Sequence, residues 1–157
     1  MSKKYIKKYI AYGSNLNVGQ MVYRCPDAKL IGTGYMQDSI LLFRGGYRAG
    51  GVATVEPKYG WQVPIAVWKI SAADERNLDR YEGYPHLYYK KDIEVTMDSG
   101  YTEIGMIYLM TSRYNQPSKP SDRYVGTILQ GYNDCELDID ELYNALEYNK
   151  EQLGDEE

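Results

Sequence analysis

Tyr9-Ile10-Ala11-Tyr12-Gly13-Ser14-Asn15-Leu16, followed by a helix-like run over residues 18–23, is the stretch that decides how this chain is read. Tyr9-Ile10-Ala11 has the apolar character of a short strand. Gly13-Ser14-Asn15 is turn chemistry. A Gly-Ser-Asn turn between a strand and a helix leaves several backbone N–H groups without carbonyl partners. Together with the positive end of the helix dipole they form a cradle for a carboxylate or an oxyanion. The expected architecture is therefore one in which a strand delivers an anion-binding turn to a helix N-terminus.

The whole chain bounds what that turn can serve. Its 157 residues are expected to form one domain over residues 1–157, burying roughly 70% of the extended surface. The charged ends, at about residues 1–7 and 150–157, are open to disorder. Lys3, Lys4, Lys7 and Lys8 gather at one end and Asp155-Glu156-Glu157 at the other, and both clusters read as solvated termini. With 18 basic against 22 acidic residues there is no basic field for nucleic acid. No apolar run approaches the roughly 20 residues of a membrane helix, and the N-terminus lacks a signal-peptide h-region. Cys25 and Cys135 form no motif, so a cytoplasmic, reduced protein is expected. The single histidine, His86, sits in a Pro-containing turn and reads as a loop residue. A His-based metal site or a Ser-His-Asp triad has little to draw on, and no metal or cofactor is expected. The unusual feature is 18 tyrosines against one phenylalanine. A tyrosine pairs an apolar ring with a hydroxyl that needs a partner, and some of these are expected to line a polar pocket.

Short strands dominate the first two thirds. They are expected at residues 8–12, 29–36, 39–43, 52–55, 63–70, 88–97 and 104–110. Glycines 45, 46, 50 and 51 precede the fourth, and Tyr59-Gly60 and Asp98-Ser99-Gly100 punctuate the rest. Residues 63–70 are apolar on both faces, as in a strand buried on both sides. Ser71 is the expected N-cap of a helix carrying Leu78 and Tyr81 and stopping near Gly83, with Pro85 beyond. Residues 121–130 place Tyr124, Val125, Ile128 and Leu129 on one helical face. Asp138-Ile139-Asp140-Glu141 resembles a capping box, opening a helix with Leu142, Leu146 and Leu153 inward. Strands outnumber helices without alternating strictly with them. That favours an α+β fold with a curved or closed sheet and helices outside it over a doubly wound parallel sheet.

Tyr81-Glu82-Gly83-Tyr84-Pro85 is the second constellation. Glu82 falls at the expected C-terminus of its helix, where the dipole disfavours a negative charge. Tyr81, Tyr84, Tyr88 and Tyr89 are placed to desolvate it. Both effects raise a carboxyl pKa toward the value a general acid/base near neutral pH requires.

Over nearly its whole length the chain resembles the gamma-glutamylcyclotransferase superfamily, which includes AIG2-like proteins. The resemblance is carried by Tyr12-Gly13-Ser14-Asn15-Leu16, Gly50-Gly51-Val52-Ala53-Thr54-Val55, Val67-Trp68-Lys69-Ile70 and Leu78-Asp79-Arg80-Tyr81-Glu82-Gly83. Tyr108-Leu109-Met110 and the loop at 116–120 before Tyr124 continue it. It implies a small mixed β-barrel flanked by helices, acting as a monomer or homodimer on a small-molecule γ-glutamyl substrate. The implied reaction is intramolecular. The substrate's α-amine attacks its own γ-carbonyl, closes 5-oxoproline and expels an amine or amino acid, with no nucleophile or metal from the protein. The resemblance implies Glu82 as the base that takes the amine proton and returns one to the leaving nitrogen. It implies Gly13, Ser14, Asn15 and Leu16 as main-chain donors to carboxylate and oxyanion, with Tyr12 opening the loop. Tyr124 matches a pocket tyrosine. A second pocket tyrosine falls at Tyr88 or Tyr89, with Tyr89 preferred. Gln62-Val63-Pro64-Ile65 lacks an aromatic-Gly pair usual before the Trp, and Tyr84-Pro85-His86-Leu87 belongs to a branch with Tyr-Pro after Glu-Gly. Both bear on pocket shape and on the leaving group. Tyr-Gly-Ser-Asn is also unlike the Tyr-Gly-Ser-Leu of the glutathione-specific branch. The alternatives are a non-catalytic small-molecule binding module on the same fold, and an enzyme that removes a γ-glutamyl protecting group within a biosynthetic pathway.

Overall fold

Residues 63–68 are buried without interruption, because in the computed structural model they form the wall on which the rest of the sheet closes. The structure describes residues 4–45 and 50–154; Lys3, Gly46 and Asp155-Glu156-Glu157 lie outside the described residues. Five strands, β1 (Lys7–Ala11), β2 (Lys29–Arg44), β3 (Val52–Ile70), β4 (Tyr88–Met97) and β5 (Thr102–Met110), form a closed barrel in the order β1-β3-β2-β4-β5. β1 runs antiparallel to β3, Tyr9 opposite Trp68, and parallel to β5, Tyr9 opposite Met106. Ile10, Ile65, Val67 and Ile107 are fully buried in the core. Closure removes the unpaired edges an open sheet would expose.

Helices α1 (Val18–Arg24), α2 (Ala72–Glu82), α3 (Asp122–Asp134) and α4 (Ile139–Gln152) flank the barrel. The fold is thus α+β, a mixed barrel with helices outside. No helix among the described residues is long and apolar enough to cross a membrane.

Four of the expected strands fuse into two. The runs at 29–36 and 39–43 are one strand, β2, and those at 52–55 and 63–70 are one strand, β3. The interruption is an irregularity within a long hairpin. The register shifts between Gln37 and Ser39, Asp38 has φ +49°, and Gly60 opposite it has φ +87° and donates its N–H to the Asp38 carboxylate at 3.0 Å. Tyr59-Gly60 is therefore a distortion within β3 and not a strand end. Bulges bend and twist a strand without ending it.

The capping also redistributes. The reciprocal box lies at α2, where Ser71 Oγ accepts from Asp74 N and Asp74 accepts from Ser71 N. At α4, Asp138 caps through Asp140 N alone. Leu142 is fully buried as expected, but Leu153 lies past the last turn of α4 and is 40% exposed.

Candidate active site

The Gly-Ser-Asn turn folds as a 3₁₀ turn, Ser14–Leu16, with Gly13 at its N-cap and Asn17 capping α1. Leu16 N donates to Gly13 O at 3.0 Å and Asn17 N to Ser14 O at 3.1 Å. The Ser14 and Asn15 amides lie ahead of that first bonded amide, where a helical turn provides no carbonyl. They are the amides the turn leaves without a helical carbonyl partner. Leu16 is corrected on this point: its N–H is spent inside the turn, its side chain is fully buried, and it does not line the cavity.

α3 fixes the turn from behind. Asn17 Nδ2 donates to Thr127 O at 3.1 Å and Val18 N to Asp134 Oδ2 at 3.0 Å. The two backbones approach so closely at Gly131 that a Cβ there would lie 2.6 Å from Asn17 N and from the Leu16 carbonyl carbon.

Glu82 is the last residue of α2. Gly83, in the left-handed conformation at φ +65°, turns the chain away behind it. Glu82, Gly13, Ser14 and Asn15 line one cavity of about 180 Å³. The two constellations, about seventy residues apart in sequence, thus open on the same space. Burial pushes the Glu82 carboxyl up to about 7, against a smaller opposing effect of the Arg24 guanidinium. A carboxyl with that value exchanges protons near neutral pH.

Most of the remaining wall is tyrosine, with Val52, Ala53 and Leu87 completing it. Six of the 18, Tyr9, Tyr12, Tyr81, Tyr88, Tyr108 and Tyr124, line this cavity. Their hydroxyls explain why phenylalanine would not serve. Tyr12 donates to Tyr108 O at 2.6 Å and Tyr88 to Ala53 O at 2.5 Å. Tyr124 accepts from Ala53 N at 3.0 Å and Tyr9 accepts from Asn15 Nδ2 at 2.9 Å. An oxygen already engaged as acceptor keeps its own proton for a ligand, so Tyr124 and Tyr9 can both donate into the cavity. Burial first, and the Glu82 carboxylate second, hold Tyr9 and Tyr12 well above the usual phenol range.

The preference for Tyr89 is corrected. Tyr88 is 5% exposed and lines the cavity, whereas Tyr89 is 42% exposed and lies on a separate groove with Lys91 and Met110. Tyr12 and Tyr124 are in the wall. Four neighbours of the site are not among the expected site residues: Tyr9, Tyr81, Tyr108 and Arg24, although Tyr81 is expected to desolvate Glu82. Tyr9, in the middle of β1 opposite Trp68, lines the cavity. Tyr108 donates to Asp79 at 2.6 Å, which in turn pairs with Lys90 at 3.0 Å. Among the described residues no group of three or more His, Cys, Asp or Glu side chains is arranged to hold a metal ion.

Comparison with known proteins gives the family. The family model described as "Gamma-glutamyl cyclotransferase, AIG2-like" matches residues 9–126, a span that includes both constellations and Tyr124. The chain is 31% identical over 150 residues to the gamma-glutamylcyclotransferase of Homo sapiens, covering 90% of this chain and 79% of that protein. It is 31% identical over 160 residues to the Mus musculus gamma-glutamylcyclotransferase, covering 94% and 84%. A solved structure titled "Gamma-glutamyl cyclotransferase" superposes with a TM-score of 0.77 at 28% identity, over 96% of this chain and 88% of that one. The matched span covers most of the chain, and the chain belongs to the gamma-glutamyl cyclotransferase, AIG2-like family.

Proposed function

We propose that this protein, acting as one domain, is an enzyme that cyclises a small γ-glutamyl compound to 5-oxoproline with release of an amine or amino acid. The single observation that carries the reading is that Glu82 lines the same cavity as Gly13, Ser14 and Asn15. Two buried free thiols, Cys25 and Cys135, support a reduced cytoplasmic setting.

The steps follow from the substrate's own groups. The γ-glutamyl unit curls so that its α-nitrogen meets its γ-carbonyl. In the best intramolecular cases such proximity contributes roughly 7–11 kcal/mol. Glu82, ionised, takes a proton from the α-ammonium, and the freed amine adds to the γ-carbon. The carbonyl π electrons move to oxygen, and the Ser14 and Asn15 N–H groups stabilise the oxyanion. Glu82, now protonated, gives its proton to the departing nitrogen as the old C–N bond breaks. The ring nitrogen gives up its second proton through the same carboxyl to the released amine, so overall the attacking nitrogen gives up two protons, the leaving nitrogen gains two, and total charge is conserved. One carboxyl suffices because the transfers occur in turn. Tyr124 and Tyr9, with protons to donate, hold the substrate's oxygens, and Gly13 keeps the approach open. A Cβ on Gly13 would stand 3.2 Å from Ala53 Cβ and 3.8 Å from Tyr124 Oη.

The test is a panel of γ-glutamyl dipeptides and γ-glutamyl amines assayed for 5-oxoproline. Release from at least one member is expected. No turnover of any member, with binding retained, would replace the enzyme with a binding module on the same fold.

A further inference from the structure

Arg24, the last residue of α1, sits behind the cavity wall. Its guanidinium donates to Asn15 Oδ1 and to Gln20 Oε1, and its central carbon lies 3.5 Å from the centroid of the Tyr81 ring. Its backbone carbonyl accepts from Asn77 Nδ2 of α2 at 2.9 Å. Ser14 Oγ and Tyr81 Oη are 3.1 Å apart, closing the contact from the other side. Asn15 belongs to the anion-binding turn and Tyr81 directly precedes Glu82. Arg24 is thus a bracket between the turn and the end of α2. All its direct partners are neutral, and among the described residues no carboxylate lies within 4.0 Å of it. A half-buried guanidinium is held beside the site with no ion-pair partner among the described residues.

We propose that Arg24 is a positioning residue for the cyclisation: it locks the turn to the end of α2 and presents a fixed positive charge to Glu82. The inference deepens the cyclotransferase reading and rests on it. The titratable groups facing Glu82 from other elements are Tyr9 on β1, Tyr12 after it, Tyr88 on β4, Tyr108 on β5, Tyr124 on α3 and Arg24 on α1. Burial holds all five tyrosines above the usual phenol range, so they are neutral at working pH. Arg24 is the charged member of this set. Without it, burial acts on Glu82 unopposed and less of the carboxyl is available as a base at a given pH.

The experiment compares wild type with R24Q and R24K. The Glu82 carboxyl is titrated by NMR with a ¹³C label, and the pH profile of kcat/KM for 5-oxoproline release is measured in parallel. In R24Q the Glu82 midpoint is expected to rise by on the order of one pH unit. The acid limb should move with it, giving roughly tenfold lower kcat/KM at pH 6 and convergence toward wild type in alkali. R24K keeps the charge and loses the planar fork, so its midpoint should stay near wild type while KM rises. R24M is a second neutral variant. An unchanged midpoint in either folded neutral variant overturns the proposal. Loss of fold in both would give Arg24 a purely structural role and overturn it as well. Because the NMR midpoint needs no turnover, wild type that releases no 5-oxoproline would refute the cyclotransferase reading while the charge on Glu82 is still decided.

Discussion

Glu82→Gln should make the protein slower and, above neutral pH, more stable. A carboxyl raised from an ordinary value of 4.5 to about 7 by burial is one the native state prefers protonated. Between those two values the unfolded chain has released its proton and the native state has not. The native state binds more protons, so stability falls as pH rises through that window. At about 1.4 kcal/mol per unit, the gap amounts to about 3 kcal/mol lost by pH 8 relative to pH 4. Glutamine has no such titration. The difference in unfolding free energy between variant and wild type should therefore grow by up to about 3 kcal/mol across the window, roughly 6–12 °C in Tm for a chain of this size. Urea unfolding at pH 4, 6 and 8 measures it, with the variant-minus-wild-type difference removing every other titrating group. The same variant should lose roughly 10²- to 10⁴-fold in turnover. A difference that stays flat with pH would mean that Glu82 is solvated and the pocket does not tune it. A flat difference with normal activity would remove it from the mechanism.

The wild-type kcat/KM should rise with pH through a midpoint near 7, the value to which burial lifts Glu82, and a profile level from pH 5 to 8 would contradict that assignment. Tyr88→Phe removes the hydroxyl that donates to Ala53 O and should cost about 1–2 kcal/mol of stability with a loss of activity. Tyr89→Phe should stay within about 0.5 kcal/mol and leave kcat/KM unchanged; equal losses in the two variants would place both rings in the site. Gly131→Ala, on α3 and outside the cavity, should lower activity by displacing the turn at Leu16 and Asn17, and wild-type kinetics there would show that the turn tolerates the shift. Tyr124→Phe should raise KM for a γ-glutamyl substrate while leaving the Glu82 midpoint in place, since it removes a donor and not a charge.

Much of this was legible in the residues because local rules and tertiary structure agree. Ser71, Asp74 and Gly83 punctuate α2 by their own chemistry, and this alone places Glu82 at a helix end. Burial, the dominant cause of its raised pKa, is a tertiary property. Of the four neighbours credited with desolvating it, Tyr81 and Tyr88 line the cavity and Tyr84 and Tyr89 do not, and only Tyr88 is buried. The Tyr88/Tyr89 choice turns on strand parity. Successive residues of β4 face opposite sides, so uncertainty of one residue in the preceding turn inverts the answer. The long β2–β3 hairpin read as four strands because its middle is polar and carries Asp38 and Gly60, the composition of a turn. Arg24 was silent for a different reason. An arginine in the last turn of a helix is favoured by the dipole wherever it occurs, and only the packing of α1 against α2 gives this one a further task.

The most direct test of the central claim is a crystal structure of Glu82→Gln with a bound γ-glutamyl amine. The account predicts the substrate's α-nitrogen at about 3 Å from the residue 82 side chain and its γ-carbonyl oxygen at about 3 Å from the Ser14 or Asn15 N–H. A ligand seated elsewhere, or one whose γ-carbonyl turns away from the Ser14–Asn15 amides, would contradict it.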